Sequence, residues 1–499
     1  MNNDINFGCV DCHENTVLIY ACIHEMTEVA LELIKTGHAN LGQVNKYGST
    51  ALIWACHHGM TEVALELIKT EHANLGQVED WGNTALIQAC HHGMTEVALE
   101  LIKTGYANFE QVHEGHTALI WACENKMTEV ALELIKLVNL EHLEHVDFGG
   151  NTALIWACGN EMKEVALELI KTGHAKPQYV NNYNNTALIF ACKNKMTEVA
   201  LELIKTGHAN ILHIDENNNT ALILACSYGM TEVALELIKM TEAELELIKM
   251  ENDITYHTDK DTGHNLLSSY RKRIDFTLEQ VKMRGWTLEQ IRMRHFEQSF
   301  IDKYNNMEHA RSEQINNFGS TALIWACRNE MTEVILELIK MGHVNPSHIY
   351  KYDNMDLIFA CQSEMTEVAL ELIKTRKFNP YYIDKEGNTV IMLVCSCNMP
   401  EVVLELIKMG HAKPEHVNKD GVTILMMACC YEMKEVALEL IKTGKSNLDQ
   451  IEKDGKTAFL LECEEGMKEV ADELVPISEF TINDNMSLNP EFVSDDLFV

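Results

Sequence analysis

Between Ala51 and Lys69 the apolar positions describe two helices of different character. From Ala51 to His58, Leu52, Ala55 and Cys56 stand at i, i+3 and i+4, so they share one narrow face made mostly of small residues. Gly59 then breaks the run. From Met60 to Lys69, the residues Met60, Val63, Ala64, Leu67 and Ile68 form a full amphipathic stripe, with Glu62, Glu66 and Lys69 on the other face. Glu62 lies near the start of this second helix and Lys69 near its end, as the helix dipole favours. After the equivalent helices Gly37 and Gly105 read as C-terminal caps. A polar stretch follows, ending in a turn such as Lys46-Tyr47-Gly48 or Lys419-Asp420-Gly421.

This helix, turn, helix, loop unit recurs along the chain. Its opening Thr falls at Thr16, Thr50, Thr84, Thr117, Thr152, Thr186 and Thr220, then at Thr321, Thr389, Thr423 and Thr457, with Met355 in the place between Thr321 and Thr389. The steps are 33 to 35 residues, apart from one of 101 between Thr220 and Thr321. A fixed period of this size predicts a stacked array in which each unit buries its apolar face on its neighbours.

The cassette reads G-x-T-A-L-x-x-A-C-x-x-G-M-x-E-V-A-x-x-L-I-x-x-G-x-A. It resembles the ankyrin repeat over about four fifths of the chain, through Thr50, Leu52, Ala55, Gly59, Val63, Leu67 and Ile68. Three departures stand out. The Pro that usually opens the first helix is Ala51, the family His that ties neighbouring loops together is Ile53, and the loop is one residue longer. A tetratricopeptide array shares the period but lacks the T-x-L opening. The ALIWAC and LELIK wording is similar to expanded ankyrin families of large DNA viruses. The resemblance implies an all-α solenoid of stacked helix-turn-helix units with short loops, elongated and curved, that binds proteins through its inner helices and loop tips.

The spacing predicts seven cassettes over residues 1–239, a degenerate helical region over 240–315, five cassettes over 316–475 and a flexible tail over 476–499. In the middle region MTEAELELIK (Met240 to Lys249) repeats the preceding helix, and TLEQVKMRGW is nearly repeated as TLEQIRMRHF. Arg271, Lys272, Arg273, Lys282, Arg284, Arg292 and Arg294 make this region locally basic, as an ordinary degenerate repeat or a docking patch for an acidic partner.

With 7 Pro and 26 Gly in 499 residues, long disordered stretches are not expected. The formal charge of −35 argues against nucleic acid and anionic membranes as partners. The N-terminus has neither a basic nor an apolar signal region, and no run is long and apolar enough to span a bilayer. The expectation is a monomer in the cytoplasm, that of the host cell if the source is viral.

Twelve of the 16 Cys occupy one cassette position, from Cys22 and Cys56 to Cys463. Stacked helices stand about 8–10 Å apart, too far for the Cα separation of about 5.5 Å that a disulfide needs. The ladder therefore reads as small buried packing residues. Cys9-Val10-Asp11-Cys12-His13 has the spelling of a haem-attachment string or zinc half-site, but lacks a second pair nearby and reads as a degenerate first loop. The pairs His57-His58 and His91-His92 offer imidazoles at one ridge, and the series His38, His72, His174, His208, His343 and His411 reads as helix C-caps.

Trp54 lies about 200° around its helix from Leu52, so it is expected on the inner face of the stack. Its equivalents include Tyr20, Gln88, Trp121, Trp156, Phe190, Leu224, Trp325 and Phe359. At the loop tips stand Tyr47, Trp81, Tyr183, Phe318 and Tyr352. The candidate partner-binding residues are Trp54, Trp121, Trp156, Phe190, Trp325, Phe359, Tyr47, Trp81 and Tyr183. Rings in these places either contact a partner or pack between neighbouring first helices. No phosphate-binding loop, nucleophile elbow, zinc-protease motif or dinucleotide-binding glycine set is present, and the polar groups recur with the repeat. The reading is a non-enzymatic protein-binding scaffold without metal or cofactor. Its alternatives are an adaptor that recruits host machinery such as a ubiquitin ligase, and a metal or redox protein using Cys9, Cys12 and the His pairs.

Overall fold

The opening Thr of each cassette starts a helix by capping it. In the computed structural model, Thr50 has extended backbone and its Oγ1 accepts the Ile53 N–H at 3.2 Å, which begins the helix Ala51–His57. The same bond recurs from Thr16, Thr84, Thr117, Thr152, Thr186, Thr220 and Thr321. Each such cap contributes about 1 kcal/mol. The structure describes residues 9–241 except 38 and 71, 315–341, 355–461 except 377, 412, 449 and 459, and residue 470. The expected middle region and tail therefore lie outside the described residues, as does Tyr352.

The turn between the two helices is left-handed. Gly59 sits at φ +66 and lets the Met60 N–H reach back to the Ala55 carbonyl at 2.8 Å. The second helix, Thr61–Lys69, then runs with Glu62 in its first turn and Lys69 in its last. At its end the Thr70 hydroxyl donates to the Leu67 carbonyl, a bond repeated in most cassettes. Among the His that follow, His174 and His208 donate their backbone N–H to the hydroxyls of Thr172 and Thr206, and His38 and His343 lie outside the described residues.

The two helices bury unequal faces. Val63, Ala64 and Leu67 are fully buried, with Met60 and Ile68 nearly so, as the amphipathic stripe predicts. The first helix is buried more widely than its narrow stripe suggested. Ala51 and Ile53 join Leu52, Ala55 and Cys56 in the core because first helices contact neighbours on both sides. Full burial of a Leu or Val side chain stabilises by about 1.5–3 kcal/mol, and the repeat multiplies that contribution along the stack.

Successive loops are tied by side-chain amides. Asn45 Oδ1 accepts the N–H groups of Tyr47 and Ser49, and its Nδ2 donates to Asn15 Oδ1 of the preceding loop at 2.9 Å. Asn15 Nδ2 in turn donates to the Asp11 carboxylate. The same chain runs from Asn181 through Asn151 to Asp147, from Asn316 through Asn219 to Asp215, and from Asn418 through Asn388 to Asp384. Backbone bonds zip the same loops, among them Lys46 N–H to His13 O and Asn182 N–H to Gly149 O. This spine does the work expected of the family His, whose place is filled by the buried Ile53. Loop approach is close enough that a Cβ on Gly82, at φ +87, would meet the Val112 carbonyl at 2.7 Å.

The chain divides into two units, Met1–Phe318 and Gly319–Val499. In the first, first helices from Val17–Ile23 to Ala221–Ser227 stack in sequence, with the second helices stacked alongside. The strands Val112–His113 and His116–Thr117 form one antiparallel ribbon at a loop tip. In the second unit, the helices from Ala322–Arg328 to Lys434–Lys442 repeat the arrangement. Among the described residues no helix is long and apolar enough to cross a membrane.

Candidate protein-binding ridge

The residue between the Ile and Ala of most first helices lies at the edge of the core. Trp54, Trp121, Trp156 and Phe190 in the first unit, and Trp325 and Phe359 in the second, are half-buried there. Gln88 and Leu224, at the same position, are buried outright, so each breaks the row of accessible rings. Among the loop-tip residues, Tyr47 is 38% exposed, Trp81 61% and Tyr183 62%. Phe318 is exposed too, as are Phe148, Tyr106 and Tyr381, which lie outside the repeat positions used to find the others.

The rings are partly covered by their own chain. Trp54 stacks against His58, with centroids 5.8 Å apart, and meets His57 edge-on. Trp121 lies between His91 and His116, each with its centroid 4.1 Å away. Farther on the cover is cationic: Lys193 stands over Phe190 at 5.8 Å, and Arg328 serves both Trp325 at 5.2 Å and Phe359 at 4.8 Å. Trp156 has neither kind of cover among the described residues. Packing along the chain's own side chains therefore accounts for part of each half-buried ring, and Trp121 is flanked on two sides. At the tips, His13, Tyr47 and Trp81 stack in line, with 5.9 Å between successive centroids.

The indole N–H groups differ in the same way. Trp156 Nε1 donates to Asp147 Oδ2 at 2.8 Å. The Nε1 atoms of Trp54, Trp121 and Trp325 are buried without a hydrogen-bond partner. The residue nine positions earlier is Asp147 in the first case, but Asn45, Val112 and Asn316 in the others. Thus a carboxylate at that loop position accepts the indole N–H.

Imidazoles form a continuous ridge in the first unit. His57, His58, His91 and His92 touch ring to ring at 4.6 to 5.6 Å. Partial burial, followed by neighbouring imidazoles, holds His58, His91 and His92 below the usual histidine range. His116 directs Nδ1 at the Glu114 carbonyl, 2.9 Å away, and Nε2 at Glu124 and Asp147, 3.5 and 3.6 Å away. Burial raises the Glu124 carboxyl above its usual range. Burial also pushes Asp215 up, but the Asn219 N–H groups and Lys193 outweigh it and hold that carboxyl low.

Among the described residues no three His, Cys, Asp or Glu side chains are gathered as a metal ion would require. Cys9, Cys12 and His13 are exposed on the first loop, while the Cys ladder is buried among the described cassettes.

The family model described as ankyrin repeats (3 copies) matches residues 1–77, 58–142, 109–178, 136–215, 154–249, 357–452 and 391–486. No curated protein matches the chain. Among solved structures, the ankyrin repeat domain of Bcl-3, described as a unique member of the IkappaB protein family, is 23% identical. That match covers 45% of this chain and 98% of the other, with a TM-score of 0.33. A chain in the structure of the Bd0816 predatory endopeptidase from Bdellovibrio bacteriovorus in complex with immunity protein Bd3460 is 26% identical. It covers 38% of this chain and 98% of its own, with a TM-score of 0.31.

Proposed function

The chain belongs to the ankyrin-repeat family, and from that premise we propose that it is a non-enzymatic scaffold that binds protein partners along its first-helix ridge and loop tips. The observation that carries this reading is the row of rings on positions the fold leaves accessible. Tyr47 and Trp81 expose stacked aromatic surface, and Trp156 is half-buried with no ring or cation stacked on it among the described residues. Exposed aromatic surface of this kind is what protein interfaces are enriched in. The candidate contacts are Trp54, Trp121, Trp156, Phe190, Tyr47, Trp81 and Tyr183 in the first unit, with Trp325 and Phe359 in the second.

The test is affinity capture with the full chain beside two variants verified as folded. Tyr47→Ala/Trp81→Ala removes the tip stack, and Trp156→Leu places at the ridge the residue that Leu224 supplies in another cassette. A partner lost from either variant establishes that surface as its site. A partner held equally by both would sink the reading.

A further inference from the structure

We propose that the face of Trp156, beside the position at Gly159 that carries no side chain, seats a lysine or arginine side chain of a basic protein partner; this rests on the scaffold reading and names the partner's chemistry at one place on the ridge.

The array supplies the precedent. Three residues after Phe190 stands Lys193, and three after Trp325 stands Arg328; each holds its cation over the ring. Three residues after Trp156 the chain has Gly159, the last residue of the helix Ala153–Gly159. The nearest atoms to a Cβ built there belong to the Phe190 ring, at 3.8 to 3.9 Å, which is ordinary contact. The place that a cation's stem occupies in two other cassettes thus holds no side chain of its own here, while the Asn194 amide caps the Gly159 carbonyl beside it at 3.0 Å. Trp54 and Trp121 do not share the vacancy, because His57 and Glu124 fill the equivalent position.

The surrounding charge favours a cation. Asp147 accepts the Trp156 N–H, and this places a carboxylate at the ring's edge. Glu124, one cassette back, has a buried Oε2 without a hydrogen-bond partner. Glu161, two residues beyond Gly159, is exposed. Of the neighbouring lysines, Lys193 is bound to Asp215 at 3.0 Å and Lys195 stands over Tyr228. Lys126, on the turn one cassette back, is exposed and His116 lies between Glu124 and Asp147, so these offset part of the negative charge. An aromatic face with carboxylates at its rim attracts a cation both through the ring quadrupole and through direct charge.

The probe is a blocked (Gly-Arg)3 peptide, with (Gly-Gln)3 as its neutral counterpart, titrated into full-length protein at pH 7.5 and low salt. The arginine peptide is expected to shift the Trp156 indole N–H resonance saturably, and the glutamine peptide to leave it in place. Gly159→Lys supplies an internal cation in the Lys193 manner and should weaken arginine-peptide binding about tenfold. Thr128→Lys adds the same charge on a second helix, where Lys163 and Lys434 show that lysine fits, and should stay within about twofold of the parent. Trp156→Leu, read by calorimetry, should lose the binding as Gly159→Lys does. Equal weakening by both lysine variants would reduce the effect to bulk charge and overturn the seat, as would an unmoved Trp156 resonance or full binding by Gly159→Lys. A natural partner captured on the ridge yet indifferent to Gly159→Lys would sink the seat and leave the scaffold standing. Arginine-peptide binding at Trp156 without any partner on the ridge would do the reverse.

Discussion

Trp156 donates its indole N–H to Asp147 at 2.8 Å, and the same carboxylate also accepts the backbone N–H of Asn151 at 2.7 Å. One buried acid thus holds a ridge ring and closes a loop. Replacing it by Asn leaves one oxygen for three donors, because the new amide NH2 faces the indole N–H and the Asn151 amide. Asp147→Asn is therefore expected to destabilise by about 1–3 kcal/mol, the range for a buried donor left unpaired. Denaturant unfolding measures it, and loss of Trp156 indole protection from hydrogen exchange would locate it. An unchanged midpoint would mean that the loop closes without the carboxylate.

The neighbouring indole behaves differently. Trp121 Nε1 is buried without a partner, and its ring lies between His91 and His116. Trp121→Leu removes an unpaired donor along with ring contacts, and Leu224 shows that the position accepts Leu. The expected cost is about 1–3 kcal/mol, below that of full truncation to Ala. Trp156→Leu should cost more, because it strips a donor from Asp147. Parallel urea titrations of the two variants give the order directly, and the reverse order would place the main role of the Trp156 bond elsewhere.

The helices and the buried stripe were legible in the repeat, because each cassette restates the same pattern, whereas the opening Thr marked the period without revealing its capping bond. The loop spine was harder to see. Its signal is an alternation over two cassettes: acids at Asp11, Glu79, Asp147, Asp215, Asp384 and Glu452, and amides at Asn45, Asn181, Asn316 and Asn418. Comparing cassettes one by one treats these as interchangeable polar turn residues. Only spatial pairing shows that the amide of one loop donates to the Asn that closes on the acid of the previous loop. Ile53 in place of the family His marked a missing tie without naming its replacement. The covers on the rings were illegible for a related reason, since Lys193 and Arg328 read as ordinary helix-end cations until their rings are located.

The histidine ridge is expected to make the first unit sensitive to acid. Burial and the surrounding imidazoles hold His58, His91 and His92 below their ordinary value of 6.5. The unfolded chain therefore binds more protons than the folded one as pH falls through that value. The stability these groups contribute is present above pH 6.5 and is lost as pH falls toward their folded values. Urea midpoints at pH 7.5 and 5.5 should fall on acidification in the parent and fall less in His91→Asn/His92→Asn. Identical falls in the two proteins would assign the acid sensitivity to carboxylates.

The cysteine ladder should be chemically silent. Burial pushes the thiols of Cys22 and Cys192 up to about 12, and the thiols between them are raised by burial as well. The thiolate is the nucleophile, so these groups are both shielded and protonated at neutral pH. With iodoacetamide under native conditions, Cys9, Cys12 and Cys430, the exposed thiols of the described residues, should be labelled within the time that leaves Cys22 through Cys226 unmodified. Peptide mapping reads this site by site. Early labelling of Cys56 or Cys123 would show that the stack opens locally.

The turn between the two helices offers a gain in stability. Gly59 and Gly93 take the left-handed conformation there without penalty, whereas Lys126, Glu161, Lys195 and Glu432 hold φ between +54 and +62 with a side chain attached. That conformation costs an L-residue roughly 1–2 kcal/mol, while glycine's extra freedom in the unfolded chain costs about 0.4–1 kcal/mol. Glu161→Gly should therefore stabilise the first unit by up to about 1.5 kcal/mol. Lys195→Gly also gives up the cation over Tyr228, at 5.4 Å, and should gain less. Thermal unfolding of the two variants compares them directly. A larger gain from Lys195→Gly would mean that the lysine–tyrosine contact contributes nothing, and a loss from Glu161→Gly would mean that this side chain holds a contact worth more than its backbone strain.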